Sequence, residues 1–232
     1  MDNEQPPQGK PAYKPPLSYK VLTPLYDLVI AALTRERVWR KAFIQEISPQ
    51  TNDRILDVGS GTGSLALGLH QAAPEIRYVG VDPDEEAVRR ARNKTTNLKS
   101  SIRFEIGYFS AENAYFEEPP TKIITSLVLH QVPLEEKRRI IRDAYDLLPE
   151  GAMFCTADYG RQKSWLMRFL FRITVQALDG IDDTRPNAEG IIPVLLEETG
   201  FIRVCETKRI ATPTGVISIY TGARPDRMEG ES

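Results

Sequence analysis

The sequence has few cysteines, no excess of basic charge and no long apolar run. Only Cys155 and Cys205 occur among 232 residues, which predicts two reduced thiols buried in strands rather than a disulfide framework. The formal net charge of −2 gives no basic field that would indicate nucleic acid as a partner. No segment approaches the roughly 20 apolar residues of a membrane-spanning helix. With no signal-peptide pattern at the N-terminus, we expect a cytoplasmic protein.

Composition predicts one domain with short polar additions at both ends. Residues 1–17, rich in proline, glutamine and lysine, are expected to form a disordered arm. Residues 224–232 are expected to form a loose tail. The range 18–223 should be a single domain, with an N-terminal helical cap at 18–48 and an inserted cap at 160–190.

Apolar runs and helical periodicities alternate through the middle of the chain. The predicted strands are Arg54–Val58, Arg77–Val81, Ile102–Ile106, Lys122–Leu129 and Ala152–Ala157, and the helices between them are Ser64–Ala73, Asp84–Asn93 and Leu134–Leu148. A helix at Ile191–Thr199 then precedes two consecutive strands, Ile202–Ile210 and Val216–Thr221. This order predicts an α/β, Rossmann-like, doubly wound sheet of seven mostly parallel strands with an antiparallel C-terminal edge hairpin.

A glycine-rich turn, DVGSGTGS, follows the first predicted strand. Gly59, Gly61 and Gly63 allow a sharp turn into the next helix and a close approach of a ligand to the backbone. A dinucleotide fingerprint fits only with serine in its last position, whereas the spacing D-x-G-x-G-x-G is complete. Asp57 would repel a pyrophosphate and attract an ammonium group, which favours a cationic ligand without phosphate.

A second acid, Asp82, ends the second predicted strand in the sequence VGVD. An acid at this position can accept hydrogen bonds from both hydroxyls of a ribose. It could equally cap the helix that follows Pro83. The two acids together favour a nucleoside with a cationic end over a nicotinamide nucleotide, which remains an alternative.

Four segments, ILDVGSGTGSLAL, YVGVDPDEEAVRRAR, SLVLHQVP and LLPEGAMFCTADYG, resemble the class I S-adenosyl-methionine-dependent methyltransferases. The similarity is greatest to the ubiquinone/menaquinone-type and other small-molecule methyltransferases, and it extends from roughly Leu22 to Thr221. It implies S-adenosyl-methionine as the cofactor. The cofactor-binding residues it implies are Asp57, Gly59, Ser60, Gly61 and Gly63 at the methionine end, Asp82 at the ribose, Val81 or Pro83 at the adenine, and Ser126 and Leu127 at the cofactor floor.

One segment, GYFSAEN, departs from the pattern of that family. The family usually has Gly-Asp-Ala after the third strand, and its acid meets the adenine amino group. Tyr108 takes the position of this acid, unless inserted residues shift the role to Ser110 or Glu112.

Methyl transfer from a sulfonium is a direct displacement, so alignment matters most and a base is needed only for a protonated acceptor. The candidate catalytic residues are His130, after the fourth strand, Asp158, at the end of the fifth, and Tyr26, in the N-terminal segment. Each also has a structural interpretation: helix entry for His130, a turn cap for Asp158 and core packing for Tyr26. No metal site is expected, because no cluster of acids and histidines lies near these strand ends.

The inserted cap contains a predicted helix, Ser164–Leu178, that is apolar nearly all round and should therefore be mostly covered. It could be a lid over an apolar acceptor, a homodimer interface or a peripheral contact with a membrane. The lid interpretation predicts substrate-binding roles for Trp165 and Phe169. Tyr159 is a further candidate because it ends the fifth strand on the ligand edge, and the resemblance implies a role for Tyr19, in a segment that folds over the cofactor in similar enzymes. The sequence thus predicts methyl transfer to O, N or C of a small, partly apolar acceptor, with a non-methylating cofactor-binding protein as the alternative.

Overall fold

The computed structural model describes residues 35–98 and 101–226. The strands are β1 (Arg54–Val58), β2 (Arg77–Asp82), β3 (Ile102–Ile106), β4 (Lys122–Ser126), β5 (Met153–Tyr159), β6 (Ile202–Thr212) and β7 (Gly215–Ala223). The helices are α1 (Glu36–Ile47), α2 (Ser64–Ala72), α3 (Glu85–Lys94), α4 (Leu134–Leu147), α5 (Trp165–Ile173), α6 (Val175–Asp179), α7 (Ile181–Glu189) and α8 (Ile191–Thr199).

The seven strands form one sheet in the order β3-β2-β1-β4-β5-β7-β6. The first five strands in that order run parallel, and β7 pairs antiparallel with both β5 and β6. The predicted Rossmann-like sheet and its antiparallel edge hairpin are therefore confirmed. The chain leaves β1 in one direction towards β2 and β3, and in the other towards β4 and β5, so the carboxyl ends of β1 and β4 flank the switch in strand order, where such sheets bind ligands.

Helices cover both faces of the sheet because its central strands are apolar on both sides. On one face, Trp39 and Phe43 of α1 and Leu69 of α2 are buried in one apolar cluster, and α1 lies against α2 and against β5, β6 and β7. On the other face, Ile141 of α4 and Leu195 of α8 pack over β4 and β5.

Three local predictions were wrong. The fourth strand ends at Ser126 rather than Leu129, because Leu127 takes a left-handed conformation (φ 54°) and a 3₁₀ turn follows. The predicted helix 164–178 is divided between α5 and α6 at Thr174, whose hydroxyl donates to the Leu170 carbonyl at 2.6 Å. Cys155 is buried as predicted, but Cys205 is exposed on the edge strand β6.

The predicted terminal additions lie largely outside the described residues. The arm at 1–17, Tyr19 and Tyr26 all precede the first described residue, so those predictions stay as they are. Arg224, the first residue of the predicted loose tail, donates to the carbonyl of Tyr145 at 2.9 Å and lies over its ring. At that position the chain is held against the domain.

Candidate active site

The glycine turn between β1 and α2 packs against the chain that leaves β4. Gly59, Gly61 and Gly63 all have positive φ, at 74°, 52° and 71°. A Cβ at Gly59 would overlap the side chain of Val128, and one at Gly63 would come within 2.8 Å of Phe104. Among the described residues other than its two chain neighbours, no heavy atom lies within 4 Å of a Cβ placed on Gly61. Packing therefore requires two of the glycines, and Gly61 is the one whose bare backbone faces open space.

Asp57 lies on β1 just before this turn, with only 1% of its surface exposed. The Tyr78 hydroxyl donates to its Oδ2 at 2.5 Å, while its Oδ1 has no hydrogen-bond partner among the described residues. Burial raises the pKa of the Asp57 carboxyl from 3.8 to about 7, against the opposing effects of the Tyr78 hydrogen bond and the Arg40 charge. A buried acceptor oxygen without a hydrogen bond destabilises the folded protein unless a donor, such as a ligand, reaches it.

Asp82 connects the end of β2 to the glycine turn. Its Oδ2 accepts the Gly61 amide at 2.7 Å and its Oδ1 accepts the Asp84 amide at 2.9 Å. Asp84, rather than Asp82, caps α3 by accepting the amides of Glu86 and Ala87, which corrects the helix-cap interpretation of Asp82. Each carboxylate oxygen has a second acceptor position, so these bonds leave Asp82 able to accept hydroxyl groups.

The predicted adenine contacts lie next to Asp82. Gly107, which follows β3, donates its amide to the Asp82 carbonyl at 3.0 Å, and Tyr108 beside it is 48% exposed. Ser110 donates its amide to the hydroxyl of the buried Tyr115 at 3.0 Å, and Glu112 is exposed. The adenine roles of Pro83 and Tyr108, like the floor roles of Ser126 and Leu127, stay predictions.

His130 and Asp158 meet where β4 and β5 end. His130 Nδ1 lies 2.8 Å from Asp158 Oδ1, and the two residues are 6% and 0% exposed. Asp158 also accepts the amides of Leu129 and Tyr159, each at 2.7 Å, which agrees with its turn-cap interpretation; its catalytic role stays a prediction. A carboxylate accepts hydrogen bonds, so Nδ1 is the ring nitrogen that donates to Asp158.

Sequence reasoning missed two buried residues behind this pair. Asn187 of α7 donates to the Tyr159 carbonyl at 3.2 Å and lies 3.5 Å from Asp158 Oδ1. Lys137 of α4 is buried and donates to the carbonyls of Val132 and Asp183. Burial lowers the pKa of the Lys137 ammonium to about 8, although the negative charge of Asp158 opposes this effect. The only sequence signal was the composition of their segments, which is typical of solvent-facing helices.

The predicted substrate-binding residues separate into two groups. Tyr159 is 4% exposed, its ring centre lies 5.0 Å from that of His130, and its hydroxyl lies 2.8 Å from the Thr214 hydroxyl. Trp165 and Phe169 are 77% and 53% exposed on the outward side of α5. Within the described residues only the inner side of this helix packs against the domain, so the expectation that its outer side is covered stays a prediction.

Two absences apply to the part of the chain that the structure describes. Within residues 35–98 and 101–226, no group of three or more His, Cys, Asp or Glu side chains is arranged to hold a metal ion. No helix in the same ranges is long and apolar enough to cross a membrane.

Residues 55–151 match the family described as a methyltransferase domain. The chain is 38% identical over 88 residues to a demethylmenaquinone methyltransferase of Deinococcus radiodurans, an alignment that covers 37% of this chain and 36% of the relative. It is 28% identical over 156 residues to a ubiquinone/menaquinone biosynthesis C-methyltransferase, UbiE, of Rickettsia bellii, covering 63% of this chain and 61% of the relative. The chain thus spans less than two thirds of either relative.

Among solved structures, the fold is similar to that of the magnesium protoporphyrin IX methyltransferase of Synechocystis PCC 6803, which was solved with SAH bound. That match has a TM-score of 0.59 at 19% identity and covers 88% of this chain and 89% of the other. The family match, the two relatives and the fold agree with the glycine turn and its two acids. Residues 55–151 therefore form a methyltransferase domain, and these findings together support the resemblance to the class I S-adenosyl-methionine-dependent methyltransferases.

Proposed function

We propose that the protein methylates a small molecule, with His130 as the group that takes a proton from the acceptor. The observation that carries this proposal is the buried His130–Asp158 pair, with its 2.8 Å contact at the edge of the sheet where the glycine turn lies. S-adenosyl-methionine, when bound, supplies a methyl group carried on a sulfonium. The residues of this chain bind that cofactor and prepare the acceptor.

The turn at β1 fits the amino-acid end of the cofactor. The Asp57 oxygen that has no partner among the described residues is suited to an ammonium group, and the bare backbone at Gly61 leaves room for a ligand. Asp82 is suited to the ribose hydroxyls because its oxygens keep acceptor capacity beyond their backbone bonds. We assign Pro83 and Tyr108 to the adenine, and Ser126 and Leu127 to the floor beneath the cofactor.

The pair at β4 and β5 is suited to general-base catalysis. Asp158 accepts the hydrogen on Nδ1 and so fixes the ring, with Nε2 assigned to take the proton of the acceptor. An acceptor O–H or N–H bond breaks, its proton moves to Nε2, and its electron pair stays on the acceptor for bond formation. Removal of a phenolic proton also makes the neighbouring ring carbons nucleophilic. After methylation at carbon, the C–H bond at that carbon breaks and its proton passes to solvent, while Nε2 returns the first proton to the oxygen and the phenol re-forms. The same base therefore serves oxygen, nitrogen and carbon acceptors.

An aromatic, partly apolar acceptor is the first class to test. The Tyr159 ring beside His130 and the Phe171 ring behind it, with centres 5.1 Å apart, form an apolar wall on this side of the pair. The names of the two curated relatives, a demethylmenaquinone methyltransferase and a quinone-biosynthesis C-methyltransferase, support the same choice. Tyr19 and Tyr26, in the segment before the described residues, are further candidates for the acceptor pocket.

The test measures transfer of labelled methyl from S-adenosyl-methionine to a panel of phenols, quinols and amines. His130→Asn keeps a hydrogen-bonding group near Asp158 but removes the base, and it should lower kcat by about 10²–10⁴-fold. Its cofactor affinity, measured by calorimetric titration, should match that of the wild type. Comparable kcat in His130→Asn would exclude His130 as the base. Cofactor binding without turnover on any acceptor would favour the non-methylating alternative.

A further inference from the structure

The outer face of α5 exposes four large apolar side chains to solvent. They are Trp165, Leu166, Phe169 and Ile173, with exposed fractions between 44% and 77%. Their spacing places them on one side of the helix. The opposite side is anchored by Phe171, which is 1% exposed and packs on the Tyr159 ring. The helix is therefore packed on its inner side and exposes a row of apolar side chains on its outer side, and such an exposed apolar patch indicates an interaction surface.

The exposed charges on α5 and in the four residues before it are all positive. Arg168 and Arg172 are exposed on α5 itself, and Arg161 and Lys163 are exposed just before it. No aspartate or glutamate occurs between Gly160 and Ala177, although the chain as a whole has a net charge of −2. The charge of this segment is therefore opposite in sign to the net charge of the protein, which favours an anionic partner at this face.

We propose that the outer face of α5 docks on the surface of an anionic lipid bilayer. An amphipathic helix with tryptophan, phenylalanine and leucine on one side and arginine at its margin is suited to lie in the interfacial plane. The long arginine side chains can keep their charges at the headgroups while the apolar residues enter the acyl boundary. A second copy is a poorer occupant, because a two-fold contact would place four cations against the same four.

This inference goes beyond methyl transfer and does not rest on it, so it is tested without cofactor or acceptor. Vesicles of phosphatidylcholine, with and without phosphatidylglycerol, are sedimented with the full chain. The protein should bind the anionic vesicles at least tenfold more tightly than the neutral ones. Its tryptophan emission should shift to the blue, because Trp165 is exposed and Trp39, the other tryptophan, is buried. Lipids brominated in their acyl chains should quench that emission.

Two variants divide the apolar and ionic contributions. Trp165→Ser/Phe169→Ser should lose binding to both vesicle types. Arg168→Glu/Arg172→Glu should lose at least tenfold in affinity for the anionic vesicles, since each basic residue near such a surface contributes appreciably. These side chains are exposed, so circular dichroism should show an unchanged fold.

The matched controls change the same residue types elsewhere. Val38 and Val194 are 45% and 42% exposed, and Arg37 and Arg142 are exposed arginines on α1 and α4. Val38→Ser/Val194→Ser and Arg37→Glu/Arg142→Glu should bind vesicles as the wild type does.

Three results would overturn the proposal. The first is an equal loss of vesicle binding in the controls, and the second is an absence of binding to anionic vesicles. The third is protection of Trp165 from acrylamide in the lipid-free protein, which would mean that a second copy or another part of the chain already covers the face. Analytical ultracentrifugation distinguishes these two occupants.

Discussion

Replacing Asp57 with asparagine should remove a pH dependence from cofactor binding. The carboxyl of Asp57 has its pKa raised to about 7 by burial, so near pH 6 roughly nine in ten unliganded molecules carry a proton there. An ammonium ligand favours the ionised form. Affinity for S-adenosyl-methionine should therefore rise about tenfold or more between pH 5.5 and 7.5. The titration ends at pH 7.5 because α-amino groups, including that of the ligand, lose their own proton with a pKa of about 7.7–8.0.

The same group links pH to stability. Because the pKa of Asp57 is higher in the folded protein than its ordinary 3.8, folding favours the protonated form. Its contribution to stability is present at low pH and is lost as pH rises from about 4 through about 7. The full cost of ionising it approaches about 4 kcal/mol. Asp57→Asn should therefore unfold at higher urea concentration than the wild type at pH 8, and the difference should shrink towards pH 4.

Calorimetric titration in two buffers with different ionisation enthalpies measures both the affinity and the protons released. The wild type should release close to one proton on binding at pH 6, and Asp57→Asn should release none and bind weakly at every pH. Tyr78→Phe is the matched control. It removes the hydrogen bond that lowers the pKa of Asp57, so the midpoint of the affinity curve should move to higher pH. A wild-type affinity independent of pH, or undiminished binding by Asp57→Asn at pH 7.5, would refute the reasoning.

Three further predictions concern the turn, the buried amide and the thiols. Gly59→Ala should lower both stability and cofactor affinity, because the added Cβ overlaps the packed side chain of Val128. Gly61→Ala has open space around its Cβ and should lose cofactor affinity with a stability loss of at most about 1 kcal/mol. Equal urea midpoints for the two variants would contradict this difference. Asn187→Ala should lower kcat and shift its pH profile while cofactor affinity stays constant, and a pure stability loss would show a structural role instead. A thiol reagent should label Cys205 in the native protein and reach Cys155 only after denaturation, because Cys155 is buried and its pKa is raised to about 12.

The sheet and the glycine turn were predictable because they depend on local pattern. Continuous apolar runs identify the central strands, and the spacing of Asp57 and the glycines is complete within a few residues. His130 and Asp158 were each predicted from their position at a strand end. Their pairing was not, because it depends on the adjacency of β4 and β5.

What escaped prediction depends on contacts between distant segments. Asn187 reaches Asp158 only because α7 folds back over the end of β5. The sequence of α5 is apolar on most of its circumference, so periodicity alone could not show that Trp165 faces outward and Phe171 inward. The division at Thr174, where the backbone has φ −109° and ψ −78°, likewise has no glycine or proline signal in the sequence.

The two outer strands of the sheet have a consequence for the behaviour of the protein in a crowded solution. Strand β6 departs from regular pairing with β7 at two places and carries alternating charges in CETKR. At the opposite edge, Arg103 and Glu105 of β3 form an ion pair at 3.2 Å. Irregular, charged edges discourage an incoming strand from extending the sheet. The fold is thereby protected against edge-to-edge aggregation.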